Sequence, residues 1–195
     1  MNEIKTASPK GDLPDQTGNR AVGAAKRLPF LLTAAVIIAD QGVKSFIANK
    51  WPQNHFITDV FGNEILWIIH VRNKAVAFSI GENLPDTVRP VLFIVFPIIV
   101  LGLLVCYYFK SSEFTTLQRW AFTGIIGGGA GNIIDRIFRP DGVVDFISVK
   151  FYGILGFQRW PTFNIADASV VVCCIMLLIS ILLSPKRSVP NEVVV

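Results

Sequence analysis

Two aspartates, Asp145 and Asp167, stand where a largely apolar chain should tolerate them least. Asp145 lies in Val143-Val144-Asp145-Phe146, between two hydrophobic runs. Asp167 lies just inside the second run, which opens Phe163-Asn164-Ile165-Ala166-Asp167. A carboxylate at the centre of a spanning helix costs roughly 2.5–3.5 kcal/mol, less near the ends, so such residues usually face a cavity and act there. Asn132 and Asp135 are three apart, as are Asn164 and Asp167, so each pair shares one helix face. If Asp145 and Asp167 meet in a water-poor pocket, both cannot ionise comfortably, and the pair shares a proton near neutrality. The ionised partner then draws a proton from water while the protonated one polarises a carbonyl. That chemistry is hydrolysis, and it needs no metal and no cofactor. The plainer account neutralises each carboxylate separately, as a structural ion pair with Arg136, Arg139 or Arg159.

Other hydrolytic signatures are missing. The chain has no H-E-x-x-H and no G-x-S-x-G, and its two histidines, His55 and His70, are isolated with no partner at metal spacing. A Ser/Lys pair around Lys44-Ser45, or Ser148 with Lys150, rests on sequence proximity alone. The glycines from Gly124 to Gly131 are not followed by the Lys-Ser/Thr of a phosphate-binding loop. Cys106, Cys173 and Cys174 lie inside apolar runs and make no disulfide framework. With no basic patch interleaved with aromatics, nucleic acid is not an expected partner.

The elements that must position these groups are membrane helices. The 195 residues are 52% hydrophobic and only 16% charged, with a mean hydropathy of +0.52, far from a soluble average. Residues 1–27 read as a flexible tail. Lys26-Arg27 before Leu28-Pro29-Phe30 superficially resembles a signal peptide, but no small-residue cleavage pattern follows, so the run is a retained first helix. Spans are expected over about 28–48, 88–109, 119–138 and 163–183, forming one domain over 28–184, with a C-terminal tail over 185–195. In the first span Asp40 and Lys44 are four apart and pair on one face, either as an interfacial ion pair at the helix end or as a strut for a nearby site. The second is the cleanest, since Pro90 to Phe109 carries no charge, and Pro97 predicts at most a mild kink. In the third, Gly124/Gly128 and Gly127/Gly131 have the GxxxG spacing that lets another helix approach closely. Between the first two spans, His55 to Phe61 and Glu64 to Arg72 flank a turn signal at Gly62-Asn63, which suggests a small hairpin or sheet on the membrane surface. The fold class is therefore membrane α-helical, a four-helix bundle with a small extracytoplasmic β element.

Four spans put both termini on one side. With the N-terminus cytoplasmic, nine Lys/Arg fall in cytoplasmic segments and nine outside or in the outer helix ends, an even tally. Lys26-Arg27, Lys110 and Lys186-Arg187 lie directly against span ends, where the positive-inside rule weighs most, and favour this topology. Segments 49–87 and 139–162 are then extracytoplasmic. The polar end of the first span, Asn73, Asn132 to Arg136, Asp145, Asn164 and Asp167 converge on that outer face. Intramembrane Asp and Asn also mark transport routes. A small transporter or proton pathway is therefore the alternative, although a conduction path needs polar groups at both levels of the bundle.

These residues resemble the lipoprotein signal peptidase (signal peptidase II) family, over about Leu28 to Leu183. Asp40-Gln41 with Lys44 looks like its D-Q-x-x-K block, Asn73 through Phe78-Ser79 like its N-x-G-A-A-F-S block, and Gly131-Asn132 with Asp135-Arg136 like its G-N-x-x-D-R block. The Asp145 and Asp167 segments are similar to the two blocks that each carry a catalytic aspartate. Ala75-Val76 and Val43 depart from the family pattern. The resemblance implies cleavage of diacylglyceryl-modified prolipoproteins before the lipidated cysteine, at the outer face of the bacterial cytoplasmic (inner) membrane. It implies Asp145 and Asp167 as the catalytic pair, Asn73, Asn132, Arg136 and Asn164 as cleft residues, and Asp40, Lys44 and Asp135 as their support. Segment 49–86 then corresponds to the family's β-cradle and the mobile element over the site. The expected partners are the prolipoprotein and membrane lipid, with a monomer as the default state.

Overall fold

The computed structural model describes residues 26–74, 84–85 and 87–183. The expected tails over 1–27 (apart from Lys26 and Arg27) and 185–195, and the Ala75-Val76 and Phe78-Ser79 positions, lie outside the described residues. Helix α1 (Phe30–Lys50) leads into strands β1 (His55–Asp59) and β2 (Leu66–Asn73). A π-helical turn, Val91–Val95, continues into α2 (Phe96–Lys110). Then come α3 (Thr116–Phe138), β3 (Val143–Val149) and α4 (Ile165–Leu183).

The π turn answers Pro97. Proline has no N–H for the carbonyl of Phe93, and its ring would clash there. Widening the preceding turn absorbs both problems.

Helix α3 is the centre of the bundle. It starts from a capping box in which Thr115 accepts from the Gln118 N–H at 3.2 Å and Gln118 accepts from the Thr115 N–H at 3.0 Å. Its glycines then bring three neighbours close. A Cβ on Gly124 would lie 2.2 Å from Cys173 Sγ, and one on Gly128 would lie 2.4 Å from the Ala166 carbonyl, so this row seats α4. A Cβ on Gly127 would lie 3.0 Å from Thr33 Cα, and that face seats α1. Both GxxxG pairs therefore work as expected, each toward a different partner. We expect Gly128→Ala to lower the melting temperature despite alanine's gain of about 1 kcal/mol in helix propensity, because a backbone carbonyl cannot swing aside. Thermal unfolding in detergent measures it, and an unchanged or higher Tm would show the seam to be loose.

Three helical segments, Phe30–Lys50, Val91–Lys110 and Ile165–Leu183, are long and apolar enough to cross a membrane. Helix α3 is long enough but less apolar. Its glycines and Asn132, Asp135 and Arg136 dilute its hydropathy, and much of its surface is covered by the other helices.

The expected hairpin or sheet is a sheet, and it draws on more of the chain than the segment between the first two spans. Strand β3, from the connection after α3, adds to β2, giving a three-stranded antiparallel sheet in the order β1-β2-β3. The β-branched, largely buried run Val143-Val144-Asp145-Phe146-Ile147-Ser148-Val149 carries the strand signal that a focus on Asp145 alone passes over. His55 and His70, isolated in sequence, are register partners across β1 and β2, and His70 Nδ1 lies 2.9 Å from the Trp51 carbonyl oxygen. Ile47 of α1 with Val144 and Phe146 of β3 forms a buried core flanked by Val43, Trp51 and Ile165. This core fixes β3 against the ends of α1 and α4, and with it the position of Asp145. Beyond β3, Arg159 clasps the sheet. Its guanidinium donates to Ser148 and to the Glu64 carbonyl and stacks 3.7 Å from the Trp67 ring centroid.

Candidate active site

Asp145 and Asp167 come from different elements, and two asparagines join them. Asn164 donates its side-chain N–H to Asp145 Oδ1 at 2.7 Å and to Asn132 Oδ1 at 3.1 Å. Asn132 in turn donates to Asp167 Oδ1 at 2.7 Å. The chain of amides therefore runs from β3 through the start of α4 and the C-terminal part of α3 back to α4. Asn73, at the end of β2, pairs in register with Val143. It is thus a diagonal neighbour of Asp145 on the same sheet face, and it donates to Asp145 Oδ2 at 3.0 Å.

Asn164 and Asp167 also cap α4. The Asp167 N–H donates to Asn164 Oδ1 at 2.9 Å, and the Asn164 N–H donates to Asp167 Oδ2 at 3.2 Å. This reciprocal arrangement satisfies two otherwise orphaned donors. It also fixes Asp167 in the first turn, where the helix dipole favours negative charge. The same three-residue spacing that put both side chains on one face thus builds the helix start and orients the carboxylate.

Asp145 is buried, with only 2% of its surface exposed. Burial, followed by the nearby charge of Asp167, pushes its pKa up from 3.8 to about 7, while the donors Asn73 and Asn164 pull in the other direction. A carboxyl group that changes charge near neutrality beside a second carboxylate is suited to acid–base work.

A second polar cluster holds the frame. Lys44, fully buried, lies 2.7 Å from Asp40 and 3.2 Å from Asp135, and it donates to Asn132 Oδ1 at 3.0 Å. Asp40 accepts the Ala166 N–H at 3.0 Å, and Asp135 accepts the Val144 N–H at 3.0 Å. Each carboxylate of this cluster therefore grips the backbone next to one of the candidate catalytic segments. Gly131 leaves room for it, since a Cβ there would stand 2.9 Å from Asp40 Oδ2. The Asp40–Lys44 pair is in the interior of the bundle, so an ion pair at a solvated helix end does not describe it.

Of the nine residues singled out from sequence, eight join these two hydrogen-bonded clusters. Arg136 is the exception. Among the described residues it has no ion pair within 4.0 Å, and its guanidinium lies 6.0 Å from the Phe93 ring centroid. Asp135 is held by Arg139 instead, which also donates to Gln41 and Ser45. Gln41 donates to Asp135 at 2.8 Å and to the Gly131 carbonyl at 3.0 Å. The spacing rule could have found Arg139, since it follows Asp135 by one helical turn whereas Arg136 is merely adjacent. The plainer account also fails on geometry. Arg139 and Arg159 are committed elsewhere, and among the described residues neither Asp145 nor Asp167 has a cation within 4.0 Å.

The family model for signal peptidase (SPase) II, Peptidase_A8, matches residues 32–183. The lipoprotein signal peptidase of Treponema pallidum (strain Nichols) is 44% identical over 162 residues, covering 83% of this chain and 87% of that protein. The one from Treponema denticola is 46% identical over 156 residues, covering 80% and 89%. A solved structure described as a bacterial membrane enzyme superposes with a TM-score of 0.67 at 29% identity, covering 81% of this chain and 94% of the other. With a family match across nearly all the described residues, three apolar helices and relatives this similar, the chain is a bacterial inner-membrane protease and belongs to the signal peptidase II family.

Proposed function

We propose that this protein removes the signal peptide from diacylglyceryl-modified prolipoproteins, cutting before the lipidated cysteine with Asp145 and Asp167 as its acid–base pair. The observation that carries the reading is the amide bridge Asp145–Asn164–Asn132–Asp167, which holds two carboxylates from separate elements beside one another. Asp145, buried and with its pKa raised to about 7, serves as the acid that polarises the scissile carbonyl. Asp167, with donors on both oxygens and the first turn of α4 behind it, serves as the base that takes a proton from the attacking water. Water attacks the carbonyl carbon, and the tetrahedral intermediate collapses as the amide nitrogen of the cysteine accepts a proton and leaves. Asn73, Asn132 and Asn164 hold the carboxylates and line the cleft. Asp40, Lys44 and Asp135 support them, and Arg136, on the same stretch of α3, contributes to the substrate cleft.

The same reading makes α3 a fourth span, with both termini cytoplasmic and the sheet on the outer leaflet. A substrate anchored by its diacylglyceryl cysteine presents its scissile bond at that surface. Polar residues concentrated at one end of the bundle fit this and do not fit a conduction path.

The test is incubation of the purified protein with a diacylglyceryl precursor in detergent, with mass spectrometry of the products. The expected products are the free signal peptide and a chain beginning at the lipidated cysteine, unchanged by a chelator. An intact precursor after prolonged incubation with folded enzyme would overturn the reading. A pH profile adds a second expectation. Because the acid must stay protonated, kcat/KM falls on an alkaline limb near pH 7. Asn73→Leu removes a donor that favours the ionised form of Asp145, so it moves that limb to higher pH. A limb that stays in place, or shifts downward, would argue against Asp145 as the acid.

A further inference from the structure

The connection from α3 to β3 is Arg139-Pro140-Asp141-Gly142, and it governs where Asp145 stands. A proline keeps the residue before it out of the helical region, so α3 stops at Phe138 and Arg139 is extended, at φ −122° and ψ 96°. The Arg139 N–H still donates back to the Asp135 carbonyl at 2.7 Å, and the Gly142 N–H closes the turn on the Arg139 carbonyl at 3.0 Å. Gly142 has φ +102°, and a Cβ there would stand 2.5 Å from the Asn73 carbonyl oxygen. The turn is thus wedged against the end of β2.

The Arg139 side chain folds back over this turn and joins α3 to α1. Its guanidinium pairs with Asp135 and donates to Gln41 Oε1 and Ser45 Oγ at 3.0 Å each. Two nitrogens of one planar fork reach these three acceptors, a geometry that a lysine ammonium does not reproduce. The two oxygens of Asp135 face different partners. Oδ1 accepts from Arg139 and Gln41, whereas Oδ2 meets Lys44 and accepts the Val144 N–H, one residue from Asp145. Arg139 itself bonds to neither Asp145 nor Asp167.

We infer that Arg139 is a positioning residue for the cleavage reaction, setting the place of Asp145 through Asp135 and the Val144 N–H. The inference rests on the proposed function, since it takes Asp145 as one of the reacting groups. Without the fork, Lys44 is the one cation within 4.0 Å of Asp135 among the described residues. It then draws the carboxylate round toward itself and off the Val144 N–H. Strand β3 loses its anchor beside Asp145, and a misplacement of about 1 Å in a reacting group costs on the order of 10²-fold in rate.

The experiment compares full-length wild type, Arg139→Lys and Arg139→Ala on a diacylglyceryl precursor in detergent, with kcat counted per folded molecule. Both variants are expected to lose about 10²-fold in kcat with KM within about twofold of wild type, because the orientation of a reacting group is lost and no substrate contact is removed. The Arg139 side chain is 18% exposed, so methylguanidinium added to Arg139→Ala reaches the gap. It is expected to restore kcat about tenfold, whereas methylammonium, which carries the charge without the fork, restores little. Hydrogen exchange reads the link itself, and the Val144 amide is expected to exchange faster in both variants. Thr115→Ala removes the cap at the other end of α3 and supplies a destabilised comparison, with kcat per folded molecule expected to be unchanged. Near wild-type kcat in either Arg139 variant overturns the inference and leaves the cleavage reaction standing. The same holds for equal rescue by methylammonium, an unaltered Val144 amide, or an equal loss of kcat in Thr115→Ala. A wild type that leaves the precursor intact overturns both the inference and the proposed function.

Discussion

Asp145→Asn and Asp167→Asn are each expected to reduce cleavage of a diacylglyceryl precursor by about 10⁴-fold, the upper range for a positioned acid or base. The double variant is expected to be little worse than either single one, because the two carboxylates act as one unit and such effects are not additive. Single-turnover rates on purified protein measure this. A well-folded variant that keeps near wild-type turnover sinks the pair. The Asp145 variant also carries a stability signature of the buried carboxyl group it removes. The folded-state pKa of Asp145 lies above its ordinary value, so the protonated form is the one the fold favours. Stability from that proton is full below about pH 4 and is lost as pH rises through about 7. A rise from 3.8 to about 7 corresponds to about 4 kcal/mol by linkage. Wild-type Tm should therefore fall between pH 5 and pH 8 more steeply than that of Asp145→Asn. The variant does not recover all of that difference. Both Asp145 oxygens accept side-chain donors, from Asn73 and Asn164, and an amide there turns one of its two acceptors into a donor facing a donor.

Much of the site was legible because it obeys short-range rules. Asn164 and Asp167 share a helix face, and the structure makes that spacing a cap as well as a site. Asp40 and Lys44 pair at four residues' separation, and the glycine rows of α3 announce close helix neighbours. What was not legible depends on tertiary contact. Strand β3 finds its partner only because the connection after α3 returns to the sheet, a pairing some seventy residues from β2 that no local pattern encodes. The amide bridge between the aspartates likewise needs α3 and α4 to be docked first. Asp135 shows the limit most clearly. Arg136 is its neighbour in sequence, whereas the helical repeat turns position 136 away from Asp135 and brings Arg139 over it.

Replacing Lys44 with methionine is expected to lower Tm by on the order of 10 °C, from a loss of about 3–5 kcal/mol for breaking a buried ion pair at one end. The three ammonium donors of Lys44 meet Asp40, Asp135 and Asn132, so its removal leaves two fully buried carboxylates facing one another. Among the described residues, Asp135 keeps Arg139, Gln41 and the Val144 N–H, whereas Asp40 keeps only Gln41 and the Ala166 N–H. Asp40→Asn added to Lys44→Met should therefore recover most of the stability, because the amide removes the charge and still accepts from Ala166. Activity should not recover with it. Asn132 Oδ1 remains without its ammonium donor, and the amide that positions Asp167 is then tied by Asn164 alone. Recovery of both Tm and kcat would reduce Lys44 to a counter-ion for Asp40. Recovery of Tm with kcat still depressed makes it a positioning residue, one that acts on the scissile bond only through the orientation of Asn132.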